Sequence, residues 1–136
     1  MIQSAKALKI LCSSTKRILL SGPIGPDGDS IGACLAFQEL LLTMGCKTVH
    51  VAAELSFRYS WLPHAEGCLS NDEIQSNYDV VIILDGDQHR LTPQVKSAFG
   101  AAKTKCIIDH HSSSKSTEYD VAIIDHYATA TCSIIY

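Results

Sequence analysis

DVVIIL, residues 79–84, is an almost unbroken apolar run, and it decides the fold of this chain. A strand that is apolar along its whole length is covered on both faces, which is typical of a parallel sheet. Four further apolar runs are predicted to be its partner strands, at residues 17–22, 47–53, 105–108 and 120–124.

Segments with helical spacing lie between these strands. Residues 28–44 repeat apolar side chains at intervals of three and four, and Gly45 ends this predicted helix. Residues 92–102 form a second predicted helix, and a last one begins near Ala128 and is still continuing at Tyr136. This alternation predicts an α/β fold: a doubly wound, mainly parallel sheet with helices on both faces and the active edge at the carboxyl ends of the strands.

Residues 55–77 are less regular than the rest of the chain. We expect one or two short helices there, with Trp61 and Leu62 packing inward. Tyr59 and Trp61 are therefore interpreted as packing residues in preference to a base-stacking pair.

Length and composition exclude several classes of protein. The 136 residues correspond to about one domain, and 46% of them are hydrophobic, which argues against disorder. A net charge of −3 is unlike that of a protein that grips long duplex nucleic acid through a basic surface. No apolar run approaches the roughly 20 residues of a membrane span, and the start of the chain lacks the apolar core of a secretory signal.

Six cysteines are spread along the chain without a CxxC pair, so neither a zinc ribbon nor a thioredoxin-like redox site is indicated. Several of them fall inside apolar helix or strand patterns. We therefore predict free, mostly buried thiols and a reducing, cytoplasmic location.

Carboxylates follow four of the predicted strands at the point where each strand ends. They are Asp27 and Asp29, Asp85 and Asp87, Asp109 with His110 and His111 behind it, and Asp125. Because parallel strands end at the same edge of a sheet, we expect these side chains to share one site.

The chemistry of such a cluster favours a cation. Carboxylates packed together repel one another and resist desolvation, and a metal ion relieves both costs. Oxygen ligands with an imidazole suit Mn²⁺ or Mg²⁺ better than a soft thiolate site would. The amides at the start of the helix over residues 28–44 favour a bound phosphate at the same place. The pattern therefore predicts a metal-centred phosphate site.

Each residue taken alone also has an ordinary structural explanation. Asp-Gly-Asp sequences are common in plain turns. Arg90 would either clamp a phosphate or pair with a nearby aspartate. His50, in the middle of a predicted strand, is interpreted as a packing residue, and His64 as part of a surface turn.

These motifs resemble those of the DHH phosphoesterases. The likeness rests on Asp109-His110-His111, on the segment PDGDSIG at residues 26–32, and on the buried strand that ends in Asp85. Residues 125–131, DHYATAT, are similar to the helix start, rich in small residues, that follows the DHH motif. Within the family the chain most resembles the bacterial nano-RNase and 3′-phosphoadenosine 5′-phosphate phosphatase group, and its motifs are RecJ-like.

The resemblance implies a two-metal hydrolase that uses Mn²⁺, with Mg²⁺ as an alternative. The metal ligands that it implies are Asp27, Asp29, Asp85 and His110, with Asp85 shared between the two ions. His111 would contact the substrate phosphate, and Arg90 is a second candidate for substrate binding. The implied substrate is a small nucleotide or a short single-stranded oligonucleotide.

The chain departs from the family pattern in three places. Pro23 stands where the family has a histidine, so one of the two ions is expected to lose a ligand and turnover to be impaired. The family's fourth motif has no counterpart before Tyr136, because Asp125 comes too early. We expect residues 1–136 to contain no part of the C-terminal substrate-binding domain of the family. We therefore expect residues 1–136 to be a DHH-type N-terminal catalytic domain that is incomplete at its C-terminus.

Two alternatives remain open at this point. Pro23 motivates a degenerate, non-catalytic DHH domain that binds a nucleotide or a protein partner. A response-regulator-like or flavodoxin-like module with a single Mg²⁺ would also carry acidic strand ends, but it gives no reason for two adjacent histidines. The sequence leaves the oligomeric state, including a homo-oligomer, open.

Overall fold

The computed structural model describes residues 2–13 and 15–136, and a five-stranded parallel sheet forms its centre. The strands are β1 (Arg17–Ser21), β2 (Thr48–Ala52), β3 (Val80–Leu84), β4 (Thr104–Asp109) and β5 (Val121–Ile124). Their order in the sheet is β2-β1-β3-β4-β5, with every neighbouring pair parallel. All five residues of the central strand β3 are buried, as its apolar sequence predicts.

Helices cover both faces of the sheet, which confirms the doubly wound α/β fold. They are α1 (Ile2–Leu11), α2 (Gly28–Thr43), α3 (Pro93–Ala101) and α4 (Thr131–Ile135). One core cluster joins alternate strand residues to α1 and α2, with α4 packed against it, and a second cluster joins the opposite strand face to α3. No element was predicted for the residues that form α1.

The last helix begins later than expected. Residues 125–128 form a turn in which the amide of Ala128 donates to the carbonyl of Asp125 at 3.1 Å, and the Asp125 carboxylate accepts from the Tyr127 amide. Because these bonds hold the backbone in a turn and Ala130 is extended, α4 begins only at Thr131.

The connection over residues 55–77 holds three single-turn 3₁₀ helices, Phe57–Tyr59, Ala65–Gly67 and Asn71–Glu73. Leu62 packs against the core as predicted, but the inward orientation predicted for Trp61 is wrong, since 74% of that residue is exposed. Tyr59 and Leu62 are three residues apart and joined by a turn hydrogen bond, so they share the inner side. Trp61 therefore faces outward.

Within the described residues, no helix is both long enough and apolar enough to cross a membrane. All six cysteines are free, and Cys12, Cys34, Cys46 and Cys106 are buried. The prediction of free, mostly buried thiols is confirmed.

Gly22 brings the end of β1 close to the first turn of α2. A Cβ atom at this position would lie 2.0 Å from the Ser30 hydroxyl oxygen and 3.2 Å from the carbonyl oxygen of Leu84. This close approach places the β1–α2 loop beside the end of β3.

We expect Gly22→Ala to lower the free energy of unfolding by about 1–3 kcal/mol, because the added methyl group overpacks a buried contact. Gly100→Ala in α3 is the matched control. A Cβ there meets nothing within 4 Å, and alanine should stabilise the helix by about 0.5–1 kcal/mol. Urea denaturation measures both variants, and equal stabilisation by the two would contradict the close approach.

Candidate metal centre

The β1–α2 loop supplies the first two carboxylates. Asp27 is the N-cap of α2, and its side chain accepts a hydrogen bond from the Ser30 amide at 3.0 Å. Asp29 lies in the first turn of the same helix, two residues further along. The cap fixes where the helix begins and so determines where Asp29 lies.

Asp29 is bound by the start of α4, about a hundred residues away in sequence. Its two carboxylate oxygens accept from the Thr131 amide at 2.8 Å and from the Cys132 amide at 2.9 Å. Burial opposes ionisation of this carboxyl, but the two amide bonds outweigh it and hold the pKa of Asp29 below its ordinary value. Asp29 is thus a fixed, charged carboxylate.

Asp85 follows β3 and is the most constrained residue of the site. It is 5% exposed, it has a left-handed backbone conformation with φ of 63°, and it accepts a hydrogen bond from the Thr131 hydroxyl at 3.0 Å. Burial, followed by the neighbouring Asp29 and Asp27 carboxylates, raises the pKa of Asp85 to about 7. A positive charge beside it would remove this cost.

His110 lies between these two carboxylates. Its Nε2 atom is 3.3 Å from a carboxylate oxygen of Asp85 and 3.6 Å from one of Asp29. Its Nδ1 atom is 3.2 Å from the carbonyl oxygen of Ala128. Because a carbonyl only accepts, Nδ1 must donate, and in the neutral imidazole the lone pair is then on Nε2, which faces the carboxylates. Such an outer hydrogen bond is the usual arrangement of a histidine that ligates a metal.

His111 is held by a different carboxylate. Asp109, which is 0% exposed, accepts from His111 Nδ1 at 2.7 Å, from the His110 amide at 2.8 Å and from the Ser114 hydroxyl. The hydrogen bond to Asp109 is the main cause that raises the pKa of His111. Asp109 therefore positions the two histidines, and its oxygens are already taken by three donors.

One set of donor atoms fits a metal ion. Ligand atoms of Asp85, His110 and His111 all lie within 4.8 Å of one another, and Asp29 adjoins them through His110. Two carboxylates and an imidazole nitrogen are the oxygen and nitrogen donors that a hard or intermediate divalent cation takes. The structure thus brings together four of the residues that the sequence predicted for the site.

Asp27 and Arg90 are less closely engaged. Asp27 is exposed, and one of its carboxylate oxygens accepts the capping hydrogen bond of α2. Its charge nevertheless contributes to the raised pKa of Asp85. Arg90 is exposed on the loop after β3, where its carbonyl accepts from the Ile24 amide at 2.7 Å. Among the described residues, its guanidinium has no ion-pair partner within 4.0 Å, so the pairing considered for Arg90 is not formed.

Pro23 packs directly over the residue that follows Asp85. A Cβ atom on Gly86 would lie 2.9 Å from Pro23 Cγ, so these two positions are in close contact. A proline ring has no lone pair for a metal. The position where the family has its histidine is therefore beside the site and contributes no ligand.

Four contacts of the site were not predicted from the sequence: those of the Thr131 amide, the Cys132 amide, the Ala128 carbonyl and the Ser114 hydroxyl. The small-residue segment at 128–131 was the only sequence signal for any of them. The serines at 112–114 carry no pattern that distinguishes the buried Ser114.

The parallel sheet and the Asp–His cluster at its carboxyl edge define an α/β domain with a candidate metal centre. Residues 17–136 match the family model described as "DHH family, N-terminal domain". The chain belongs to the DHH family.

A crystal structure of an exopolyphosphatase-related protein from Bacteroides fragilis has the same fold, with a TM-score of 0.88 at 20% sequence identity. The match covers 100% of this chain and 42% of the other, so the chain spans less than half the length of that neighbour. Among curated protein sequences, none matches the chain significantly.

The raised pKa of Asp85 predicts a pH-dependent stability in the presence of a metal chelator. Between pH 5 and 7 most folded chains hold a proton on Asp85, whose pKa is about 7, that the unfolded chain has released. The unfolding free energy should therefore fall by about 2 kcal/mol as pH rises through this window. The raised pKa of His111 acts in the same direction.

Asp85→Asn should flatten this dependence, since asparagine keeps the left-handed backbone and has no proton to lose. Asp72→Asn, which removes an exposed carboxylate, should retain the wild-type slope. Urea denaturation at several pH values measures the slopes, and an unchanged slope in Asp85→Asn would show that Asp85 is not the titrating group.

Proposed function

We propose that this chain is the catalytic domain of a metal-dependent phosphoesterase that hydrolyses small nucleotide phosphates or short oligonucleotides. The observation that carries the proposal is His110, whose Nε2 atom lies 3.3 Å from a carboxylate oxygen of Asp85 and 3.6 Å from one of Asp29. Membership in the DHH family and the phosphate chemistry in the name of the structural neighbour support it.

Asp29, Asp85 and His110 are the proposed ligands of the principal ion. Each is oriented by a second group: the α4 amides hold Asp29, the Thr131 hydroxyl holds Asp85, and the Ala128 carbonyl holds His110. Mn²⁺ suits this mixed oxygen and nitrogen set, and Mg²⁺ is the alternative. A bound ion of this kind would lower the pKa of a water molecule for attack on phosphorus and neutralise charge on the phosphate.

His111 is the proposed phosphate contact. The buried Asp109 carboxylate fixes its ring and favours its cationic form, which suits a group that binds a phosphate oxygen. Arg90 is exposed and unpaired among the described residues, and we propose it as a second phosphate contact. Both residues follow strand ends at the edge that carries the metal ligands.

A second ion between Asp27 and Asp85 is proposed to bind more weakly. One carboxylate oxygen of Asp27 already accepts the capping hydrogen bond from the Ser30 amide, and Pro23 contributes no ligand. The full two-metal mechanism therefore depends on whether this weaker site fills.

Pro23 also supports the second candidate function, a non-catalytic DHH domain that binds a nucleotide or a protein. Such a domain would keep the fold and the first ligand set but would turn over no substrate. The two candidates differ in whether bound metal confers hydrolysis.

We propose a cytoplasmic location on the basis of the six free thiols. Four of them are buried, and burial raises the pKa of the Cys12 and Cys106 thiols to about 12. These groups are protected from oxidation by their packing but form no disulfide that would require an oxidising compartment.

Hydrolysis of bis(p-nitrophenyl) phosphate tests the enzyme proposal. We expect Mn²⁺ to stimulate it, EDTA to abolish it and added Mn²⁺ to restore it. His110→Ala should lower the rate by more than the roughly 10- to 100-fold typical of an outer-shell change. His64→Asn, at an exposed left-handed position, is the control and should leave the rate unchanged. A rate that EDTA and His110→Ala both leave unaltered would refute the proposal.

Pro23→His tests the second ion and separates the two candidate functions. We expect the imidazole to raise the Mn²⁺ stoichiometry from about one to about two per chain and to increase hydrolysis. Pro23→Ala, which removes the ring without adding a ligand, is the matched control. Calorimetric titration measures the stoichiometry. If neither variant changes the stoichiometry or the rate, the missing histidine is not what limits the site. If the wild type and Pro23→His both bind Mn²⁺ and neither hydrolyses the ester, the non-catalytic candidate is favoured.

A further inference from the structure

Two large aromatic side chains are exposed in the five-residue segment 57–61, which follows β2. Phe57 is 93% exposed and Trp61 is 74% exposed, and Arg58 between them is also exposed. The core contacts of this segment are made by Tyr59 and Leu62, so the exposed rings have no packing role. We call Phe57, Arg58 and Trp61 the aromatic surface.

The aromatic surface flanks Tyr59, which lies close to the β1–α2 loop that carries Asp27 and Asp29. Tyr59 Cε1 lies 3.4 Å from the position that a Cβ atom on Gly28 would occupy, and Gly28 separates the two aspartates of the β1–α2 loop. Phe57 and Trp61 are each two residues from Tyr59, so their Cα atoms lie within about 8 Å of its Cα. Leu62 and His64 continue along α2, where they line a shallow groove with Gly32 and Leu35.

The chemistry of this surface is that of a stacking platform. Aromatic faces take nucleobases in a sequence-tolerant way, and an arginine beside them adds a cation for the backbone. An inorganic phosphate chain has no flat apolar group that could stack on an indole ring.

We propose that the aromatic surface is a base-binding subsite, in which Trp61 and Phe57 stack on bases of a single-stranded oligonucleotide whose phosphate lies at the metal centre. This inference rests on the proposed phosphoesterase function, and it adds a surface that would determine which phosphates the site prefers. It assigns the site to phosphates that carry bases in preference to inorganic polyphosphate.

The chain contains a single tryptophan, so its fluorescence reports on Trp61 alone. The probe is a phosphorothioate-linked pentamer of deoxyadenylate, titrated into the 136-residue chain in the presence of Mg²⁺. We expect the pentamer to quench the emission as a base stacks on the indole ring. Tripolyphosphate, which carries charge but no base, should leave the emission unchanged.

Anisotropy of a 3′-labelled pentamer measures the affinity of variants. Trp61→Ala should weaken binding roughly 5- to 100-fold, the change that loss of one stacked base corresponds to. Phe57→Ala should weaken it as well, and Trp61→Phe should recover most of the affinity. Met44→Ala is the control, because this exposed apolar residue follows the far end of the 16-residue helix α2, about 24 Å from Gly28.

Several outcomes would overturn the subsite. They are an absence of quenching, equal quenching by tripolyphosphate, or wild-type affinity in Trp61→Ala. Conversion of a dimer to a monomer by Trp61→Ala, seen by sedimentation, would show that the surface joins two chains and would also overturn it. If quenching fails while Mn²⁺-dependent hydrolysis persists, only the subsite is refuted. Quenching without any hydrolysis would support the subsite and refute the proposed enzyme.

Discussion

The structure depends on two carboxylates, Asp29 and Asp85, that are held side by side at a largely buried edge of the sheet. One residue joins them: the amide of Thr131 donates to Asp29 and its hydroxyl donates to Asp85. The amides of α4 favour the charged form of Asp29, and burial together with that neighbouring charge raises the pKa of Asp85. The pair is stable as a neutral and a charged carboxyl, or as two carboxylates around a cation.

The rest of the fold keeps this arrangement from relaxing. Asp85 follows a fully buried central strand, its amide donates to the carbonyl of Ile108, and Pro23 packs over the next residue. His110 is restrained by Ala128, on the turn that precedes α4. The cost of desolvating Asp85 therefore arises where a bound cation would offset it, and a strained left-handed backbone lies at the same residue. Both features are common at functional sites.

The two sides of the site have different chemistry. Toward β4, the buried Asp109 carboxylate orients His111, the proposed phosphate contact. Toward β2, the exposed Trp61 and Phe57 provide flat apolar faces beside the start of α2. A nucleotide, the proposed ligand, would contact both sides through its phosphate and its planar base. The same sheet edge thus supports both the proposed chemistry and the proposed selectivity.

The sequence by itself determined the sheet, because apolar runs such as residues 79–84 reveal strands covered on both faces, and parallel strands must end at one edge. It placed Asp29, Asp85, His110 and His111 at that edge for the same reason. Only the tertiary structure decided their roles. The amides of Thr131 and Cys132 donate to Asp29. Trp61 lies on the outer side of its 3₁₀ turn. The oxygens of Asp109 accept hydrogen bonds from neighbouring residues. Periodicity reports which face of an element is buried, whereas contacts between residues about a hundred positions apart exist only once the chain has folded.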